Sequence, residues 1–493
     1  MEKEKKHPSV FEPFAIVLNL AVSVVGAIIG IQIVTTLGVT PSTSIIGALV
    51  AMLIARIPME LFRKYKSIHR QNLMQTSISS ATFGAANSLL IPIGIPFIMG
   101  KTELILPMLI GAALAMFIDA TLLYKLFDSR IFPARESWAP GVATAESILA
   151  GDKGGKRAGL LGIGALIGVI GSVLKIPMSA LGVAFIGNIW ALTMFGVGLL
   201  INQYSMPLFQ LDVGKLYIAH GIMIGAGIVA LIQVAVLIFK REDSAAEASK
   251  ENEAVTVPMR SVKRTLGLGY VAYLAVAVII AVLGGLMTKM SAGMLIGFII
   301  FAAFAAFFHE LIVGIAAMHS GWFPAFADMG YDLKTGYILR GNGSDKELEI
   351  RGRKQQYYTG MIAFGVALLT VVLTYKGFFG QNLVPPIDKV YASTINAGAS
   401  LDVAMKLLIW AIPGAIIQWI GGPNRQLGVM LATGLLIVSP NACWAVLGGI
   451  LIRVAVLKIK GKEAESTMSI LAAGFIAGDA LYSFFTSVFK ASK

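Results

Sequence analysis

Cysteine is nearly missing from this chain of 493 residues: Cys443 stands alone in an apolar stretch, so no internal disulfide and no cysteine-based metal cluster can form. Charge is scarce too. Charged residues make up 14% of the chain and hydrophobic residues 56%, with a mean hydropathy of +0.78; soluble domains carry roughly 25% charge. The weak alternating pattern of a membrane β-barrel is lacking, as is a zinc-protease signature, because HELIV at 309 to 313 has no second histidine at HExxH spacing. No small-residue cleavage site follows the basic start MEKEKKH, and 13 to 37 is long enough to serve as a first spanning helix. These absences leave an integral membrane protein with no expected cofactor or metal.

What the chain has in abundance is apolar runs of about 20 residues, together with 53 Gly and 18 Pro. The reading is an all-α polytopic membrane protein of about 14 to 16 transmembrane helices, with closely packed helices and some broken inside the membrane. Candidate spans start with 13 to 37, 41 to 62, 72 to 99 and 104 to 127, and end with 440 to 457 and 467 to 489, the last as a span or a hairpin. The net charge of +13 sits in short loops such as RKYKSIHR at 63 to 70, RSVKR at 260 to 264 and KIKGK at 458 to 462. That is the positive-inside pattern, so these loops and the N-terminus are expected in the cytoplasm and nucleic acid is not expected as a partner.

Two polar segments interrupt the plan. Residues 240 to 264 read as a charged cytoplasmic linker between an N-terminal membrane half, 1 to 239, and a C-terminal half, 265 to 493. Residues 328 to 356 read as a second solvated cytoplasmic loop. Two further segments are membrane-like but irregular. NLMQTSISSATFGAANSLLIPIGIP, 72 to 96, combines hydroxyl and amide side chains with Pro92, Gly94 and Pro96, a composition suited either to a cavity lining or to interhelical hydrogen bonding. WAPGVATAESILAG, 138 to 151, has basic residues on both flanks and reads as a re-entrant hairpin on the cytoplasmic side.

Internal repetition links this last segment to the C-terminus. Gly141 to Glu146 and Gly474 to Asp479 both read Gly, four residues, carboxylate, at an offset of 333, and Gly111/Gly448 and Asn87/Asn424 give 337 upstream. GLLI at 198 and 434 offers a competing offset of 236 that fails downstream. Two related halves, each presenting a carboxylate on a small-residue segment, fit transporters built from repeats with a site where the repeats meet.

Four stretches resemble the oligopeptide transporter (OPT) family, which includes the yellow-stripe metal-chelate transporters, and most of all its prokaryotic branch: PGVATAESILAG at 140 to 151, YDLKTGYIL at 331 to 339 with RKQQYYTG at 353 to 360, QLGVMLATGLLIVSP at 426 to 440, and AAGFIAGDAL at 472 to 481. Pro140 stands where the family often has Glu, Asp479 where it usually has Glu, and KELEIRGRK lengthens the loop before RKQQ. The resemblance implies secondary active transport of small peptides, or of peptide-like metal chelates of the siderophore or nicotianamine type, generally driven by protons. It implies a transporter, not an enzyme. The expected partners are peptide or chelate, protons and the lipid bilayer of the cytoplasmic membrane, with a homo-oligomer as one admissible assembly.

An ionised carboxylate in the bilayer costs about 2.5 to 3.5 kcal/mol on insertion scales, so each one needs a partner, a cavity or a proton. The proton-coupling candidates are therefore Glu146 and Asp479 first, then Asp119 and the His309-Glu310 pair, with Glu103 also considered; a structural ion pair or helix cap is the competing reading of Glu146. His220 and His319 are weaker candidates of the same kind. Peptide backbones and termini ask for amides and a cation. Asn72, Gln75, Asn87, Gly141, Asn188, Gln203, Asn424 and Asn441 are the candidate peptide-binding residues and Arg425 the cation for a carboxylate, each weighed against a role in holding helices together. A channel lacks a filter motif, and an intramembrane aspartyl protease fails because Ile476 replaces the expected Gly before Gly478-Asp479.

Overall fold

The computed structural model describes residues 7–37, 43–239, 257–288, 325–389 and 401–491 (438 and 440 excepted), with scattered positions between 291 and 392. Among them no strand forms, and a single isolated bridge pairs Phe127 with Phe132. Eight helices are long and apolar enough to cross a membrane, and three shorter apolar ones accompany them. The protein is an all-α, multi-pass membrane protein.

In chain order the helices are α1 (Pro13–Leu37), α2 (Thr43–Ala55), α3 (Ile68–Phe83), α4 (Ile91–Ile98), α5 (Ile105–Leu126), α6 (Ala139–Lys153), α7 (Gly155–Val173), α8 (Met178–Ile186), α9 (Ile189–Phe209) and α10 (Ile218–Phe239). After residues 240 to 256 come α11 (Met259–Thr288), α12 (Ala325–Leu339), α13 (Lys346–Gly380), α14 (Leu401–Arg425), α15 (Leu427–Leu436), α16 (Ala442–Lys460) and α17 (Ala464–Ala491). The two chain halves interleave. Helices α1 to α5 pack with α11 to α13 around an aromatic centre of Phe127, Phe132 and Trp138, while α7 to α10 pack with α14 to α17. Helix α6 touches both groups.

Burial separates the helices by role. In α3 and α4, joined by the π-helical turn Gly84–Leu90, 61% of the most apolar window is buried, against 11% in α14. Helix α14 thus presents an apolar surface suited to lipid, and α3 is central, which explains how a segment half made of Ser, Thr, Asn and Gln can lie in a membrane protein. The π-helical turn lies immediately before Pro92, and its wider winding is one way a continuous helix accommodates a proline ring and its missing N–H.

Four expectations change. The segment 138 to 151 is one unbroken helix, α6, rather than a hairpin: Trp138 enters it with φ 37 and the chain turns only at Gly154 and Gly155, φ 63 and 59. Residues 328 to 356 are not a single solvated loop but the buried helix α12, a mostly exposed turn at 340 to 345 and the start of α13, which buries one face (Glu349, Gly352, Arg353 and Gln356) and exposes the other (Lys346, Glu347, Ile350, Arg351 and Lys354). The 259 to 264 end of the proposed linker is already helical in α11. Helix α17 runs through 467 to 489 without folding back.

The repeated Gly-x4-carboxylate element has a packing reason at its second copy. Gly474 and Gly478 lie one turn apart on α17 against Gly164 and Gly168, one turn apart on α7, so the two backbones meet where a side chain has no room. A methyl on Gly478 would overlap the Ala165 carbonyl oxygen. Gly478→Val is therefore expected to lose at least about 1 to 3 kcal/mol of stability through overpacking, seen as a lowered midpoint in thermal unfolding in detergent, whereas Gly159→Val, in open space, should stay near the parent.

Candidate functional site

Three of the motif stretches fold onto one another. Gly141 in α6 packs on α12 so closely that a Cβ would stand 2.5 Å from the Tyr331 carbonyl oxygen, and the Thr335 hydroxyl lies 3.1 Å from the Gly141 carbonyl it can donate to. Gly330 gives the same close approach to the buried Trp138 ring. From α13, Gln356 donates through Nε2 to the Asp332 carbonyl at 2.6 Å and to Thr76 Oγ1 at 3.2 Å. Helix α12 is thereby clamped between α6, α3 and α13.

That clamp holds two carboxylates, Asp328 and Asp332, one turn apart on α12 and facing α2 and α3. They are 3% and 0% exposed. Asp328 accepts from Thr43 Oγ1 at 3.1 Å and from Ser79 Oγ at 3.2 Å. Asp332 accepts from Gln75 Nε2 at 2.5 Å, Ser44 Oγ at 3.1 Å and Ser80 Oγ at 3.4 Å. Every donor is neutral. The nearest cation along the helix, Lys334, points away and spends its ammonium on the Ala134 and Glu136 carbonyls, at 2.7 and 2.9 Å. Arg340 is taken by Glu349, at 2.7 Å, and by Gln356.

The position of the pair follows from helix geometry. Ser79 lies 11 residues into α3, Thr43 is 13 residues from Arg56 past the end of α2, and Asp328 is 12 residues from Arg340 past the end of α12. At about 1.5 Å per residue these lengths are roughly 16 to 20 Å from three basic helix ends, about half of a hydrocarbon core some 30 Å thick.

A second polar group ties down the same end of the molecule. Glu349, fully buried, receives Arg340 through Nε and Nη2 and Arg353 through Nε, and Arg353 also donates to the Phe127 carbonyl at 2.9 Å. His7 is packed over Gly352, and burial beside Arg340 lowers its imidazole from the usual 6.5 to about 3. Burial and the Arg340 guanidinium thus favour the neutral ring at physiological pH.

The sequence candidates fall in different places. Gln75 belongs to the aspartate site, and Asn72 joins it by donating to Gln75 Oε1 at 3.1 Å. Asn87 is in the π-helical turn. Glu146 is ion-paired with Arg157 at 2.6 Å, both partly exposed. Asp479 accepts from Ser172 Oγ at 2.6 Å and from the Ser179 N–H at 2.9 Å, bracing α7 and α8 against α17. Asp119 accepts from the Tyr273 hydroxyl, and Glu103 is exposed. Asn188 caps α9 through the N–H groups of Trp190 and Ala191. Gln203 Oε1 accepts from the Asn441 N–H and faces Cys443, and the Arg425 guanidinium lies 4.8 Å over the Trp190 ring. These last residues lie around α9, in the group of helices that does not hold the aspartates. His309, Glu310, His319 and the Asn424 side chain fall outside the described residues.

Asp328 and Asp332 were not among the sequence candidates, because their surroundings are charged enough to read as loop. Their i, i+4 spacing within FADMGYDLKTGYIL, which has the apolar content of a buried helix, was the signal available.

A two-carboxylate site with neutral donors can bind and release a proton or a cationic group, whereas Glu146 is engaged in an ion pair with Arg157 near the protein surface. Glu146→Gln is accordingly expected to leave gradient-driven uptake within about twofold of the parent and to cost about 1 kcal/mol or less, measured as accumulation in proteoliposomes and as a thermal midpoint.

Searches of curated proteins and of solved structures returned no match. A family model does match: the one described as OPT oligopeptide transporter protein aligns with residues 13–239 and 323–490, leaving out the linker and the segment before α12. That match spans most of the chain and takes in all the helices that build the aspartate site, so the chain belongs to the OPT oligopeptide transporter family.

Proposed function

We propose that this OPT-family transporter moves small oligopeptides across the cytoplasmic membrane by secondary active transport, coupled to protons at Asp328 and Asp332, with its N-terminus inside the cell. The carrying observation is the buried aspartate pair, bonded among the described residues to hydroxyl and amide donors alone. Two like charges a turn apart, at a depth where each costs a few kcal/mol, favour holding a proton between them, and opening the site to water on either side favours its release. Positive-inside loops support the orientation. Asn72 Oδ1, buried beside Gln75 and without a donor among the described residues, supports a backbone-recognising role, since a peptide N–H is the donor it lacks.

The test is uptake by the purified protein in proteoliposomes under an imposed proton gradient, across a panel of di- to hexapeptides and peptide-like metal chelates. Peptides alone accumulating, and only with the gradient present, is the expected result. Accumulation of the chelates in preference would move the substrate to the family's other class, and accumulation indifferent to pH would remove the proton.

A further inference from the structure

At the end of the molecule away from the basic termini of α2, α3 and α12 lies a carboxylate that the proposed coupling does not use. Asp388, in the short turn of helix at 386 to 389 after α13, is fully buried, and neither carboxyl oxygen has a hydrogen-bond partner among the described residues. It occupies a place made for it. Gly94, between Pro92 and Pro96 in α4, lies against Oδ2 so closely that any Cβ there would overlap the carboxyl, and Val384 packs against the same spot. The titratable groups on the surrounding elements are Lys101 and Glu103 after α4, Tyr375 and Lys376 on α13 and Lys389 beside it; none bonds to Asp388, and all but Tyr375 are exposed.

Distance sets this carboxyl apart from the aspartate pair. From Gln75 to Gly94 is 19 residues of continuous helix, and from Gln356 to Gly380 is 24 residues of α13, roughly 28 and 36 Å at about 1.5 Å per residue. With the aspartate pair about half-way through the core, either path exceeds the half-thickness of about 15 Å that remains, so Asp388 stands at or beyond the opposite membrane surface.

We propose that Asp388 is a second proton-binding site on that surface: it holds its proton while α4 and the 381 to 389 segment are packed together, and passes it to water as the ion pair of carboxylate and hydronium when they part. With no donor and no cation among the described residues, an ionised carboxylate is not supported in this pocket, so the packed form contains the neutral acid. A buried acid without a partner costs about 1 to 3 kcal/mol, and a wet, ionised state is what an aspartate gains over an apolar residue here. Burial pushes the carboxyl from 3.8 up to about 8.

The sign follows by linkage. Over the interval from 3.8 to about 8 the packed form carries a proton that the opened form does not, so opening gains as pH rises through that interval, by up to about tenfold per pH unit, and levels off above it. The inference goes beyond coupling at Asp328 and Asp332, and its readout needs no transport.

The experiment uses the full chain in proteoliposomes with Cys443→Ser and one reporter, Val384→Cys beside Asp388 or the exposed Gln381→Cys as reference, labelled with a membrane-impermeant maleimide. The Val384→Cys rate, divided by that of Gln381→Cys to remove the thiol's own pH dependence, is expected to rise at least about tenfold between pH 5 and pH 8 and to become flat in Asp388→Asn. A flat parent, or an unchanged rise in Asp388→Asn, overturns the proposal. Should Asp388→Asn fail to assemble, Gly94→Ala decides: its methyl displaces the carboxyl, so fast labelling is expected at both pH values, and labelling as slow as the parent's at pH 5 is the contrary result.

Discussion

Asp332→Asn is expected to abolish gradient-driven accumulation while leaving the folded protein in the membrane. One proton moving with each peptide down a gradient of two pH units supplies about 2.7 kcal/mol, enough for about hundredfold accumulation. An asparagine keeps an acceptor oxygen for Gln75 and Ser44 but cannot take up a proton, so the ratio of inside to outside peptide should fall to about one. Exchange of labelled for unlabelled peptide at equal concentrations needs no net proton movement, and it should persist. Asp328→Asn is expected to act in the same direction, because its carboxyl accepts from Ser79, whose hydroxyl also meets that of Ser44, a donor to Asp332, and repels its neighbour across one helical turn. Loss of exchange together with accumulation would indicate a damaged binding site; loss of accumulation alone marks the coupling group.

The largest effect on stability should come from Glu349→Gln. The native carboxylate neutralises Arg340 and helps to hold Arg353, and all three side chains are buried. Removing its charge leaves two guanidiniums in a low-dielectric site, a change that costs about 3 to 5 kcal/mol for a buried pair broken on one side. Thermal unfolding in detergent should record it as a clear drop in midpoint. The double variant Arg340→Met with Glu349→Met should be less damaged than Glu349→Gln, since no partnerless charge is left on that bond; a double variant as unstable as Glu349→Gln would mean that packing, and not charge, dominates there. Because Arg340 also holds Gln356, which reaches the Asp332 carbonyl, Glu349→Gln is expected to weaken transport as well.

Much of the fold is legible in the residues. The first span, Pro13–Leu37, matches its apolar run residue for residue, and α5 begins and ends within a residue of its run, because long uninterrupted hydrophobic stretches admit one reading in a bilayer. The polar stretch from 72 rightly points to a segment inside the protein, since its hydroxyls and amides have no place against lipid. Charge is where the reading went astray. Asp328, Lys334 and Arg353 look like a loop in sequence, yet each is buried against a partner from a distant element, Thr43, the 134 to 136 carbonyls and Phe127 in turn, while the buried Arg340 and Glu349 pair with each other. Nothing local to 328 to 356 announces those partners. Glu146 stands in sequence as a lone carboxylate among alanines, and its cation, Arg157, is 11 residues on, past the Gly154-Gly155 turn. The glycine before each repeated carboxylate is real in its effect at Gly141 and Gly474, where backbones touch, but the two elements pack on different partners, α12 and α7.

Loading proteoliposomes with a pH-sensitive dye tests the coupling most directly. Addition of a transported peptide outside, with no imposed pH or voltage difference, should acidify the lumen of vesicles holding the parent protein and leave the lumen of vesicles holding Asp332→Asn unchanged. Peptide entering without any movement of protons, or equal acidification in both, would contradict the assignment of the aspartate pair.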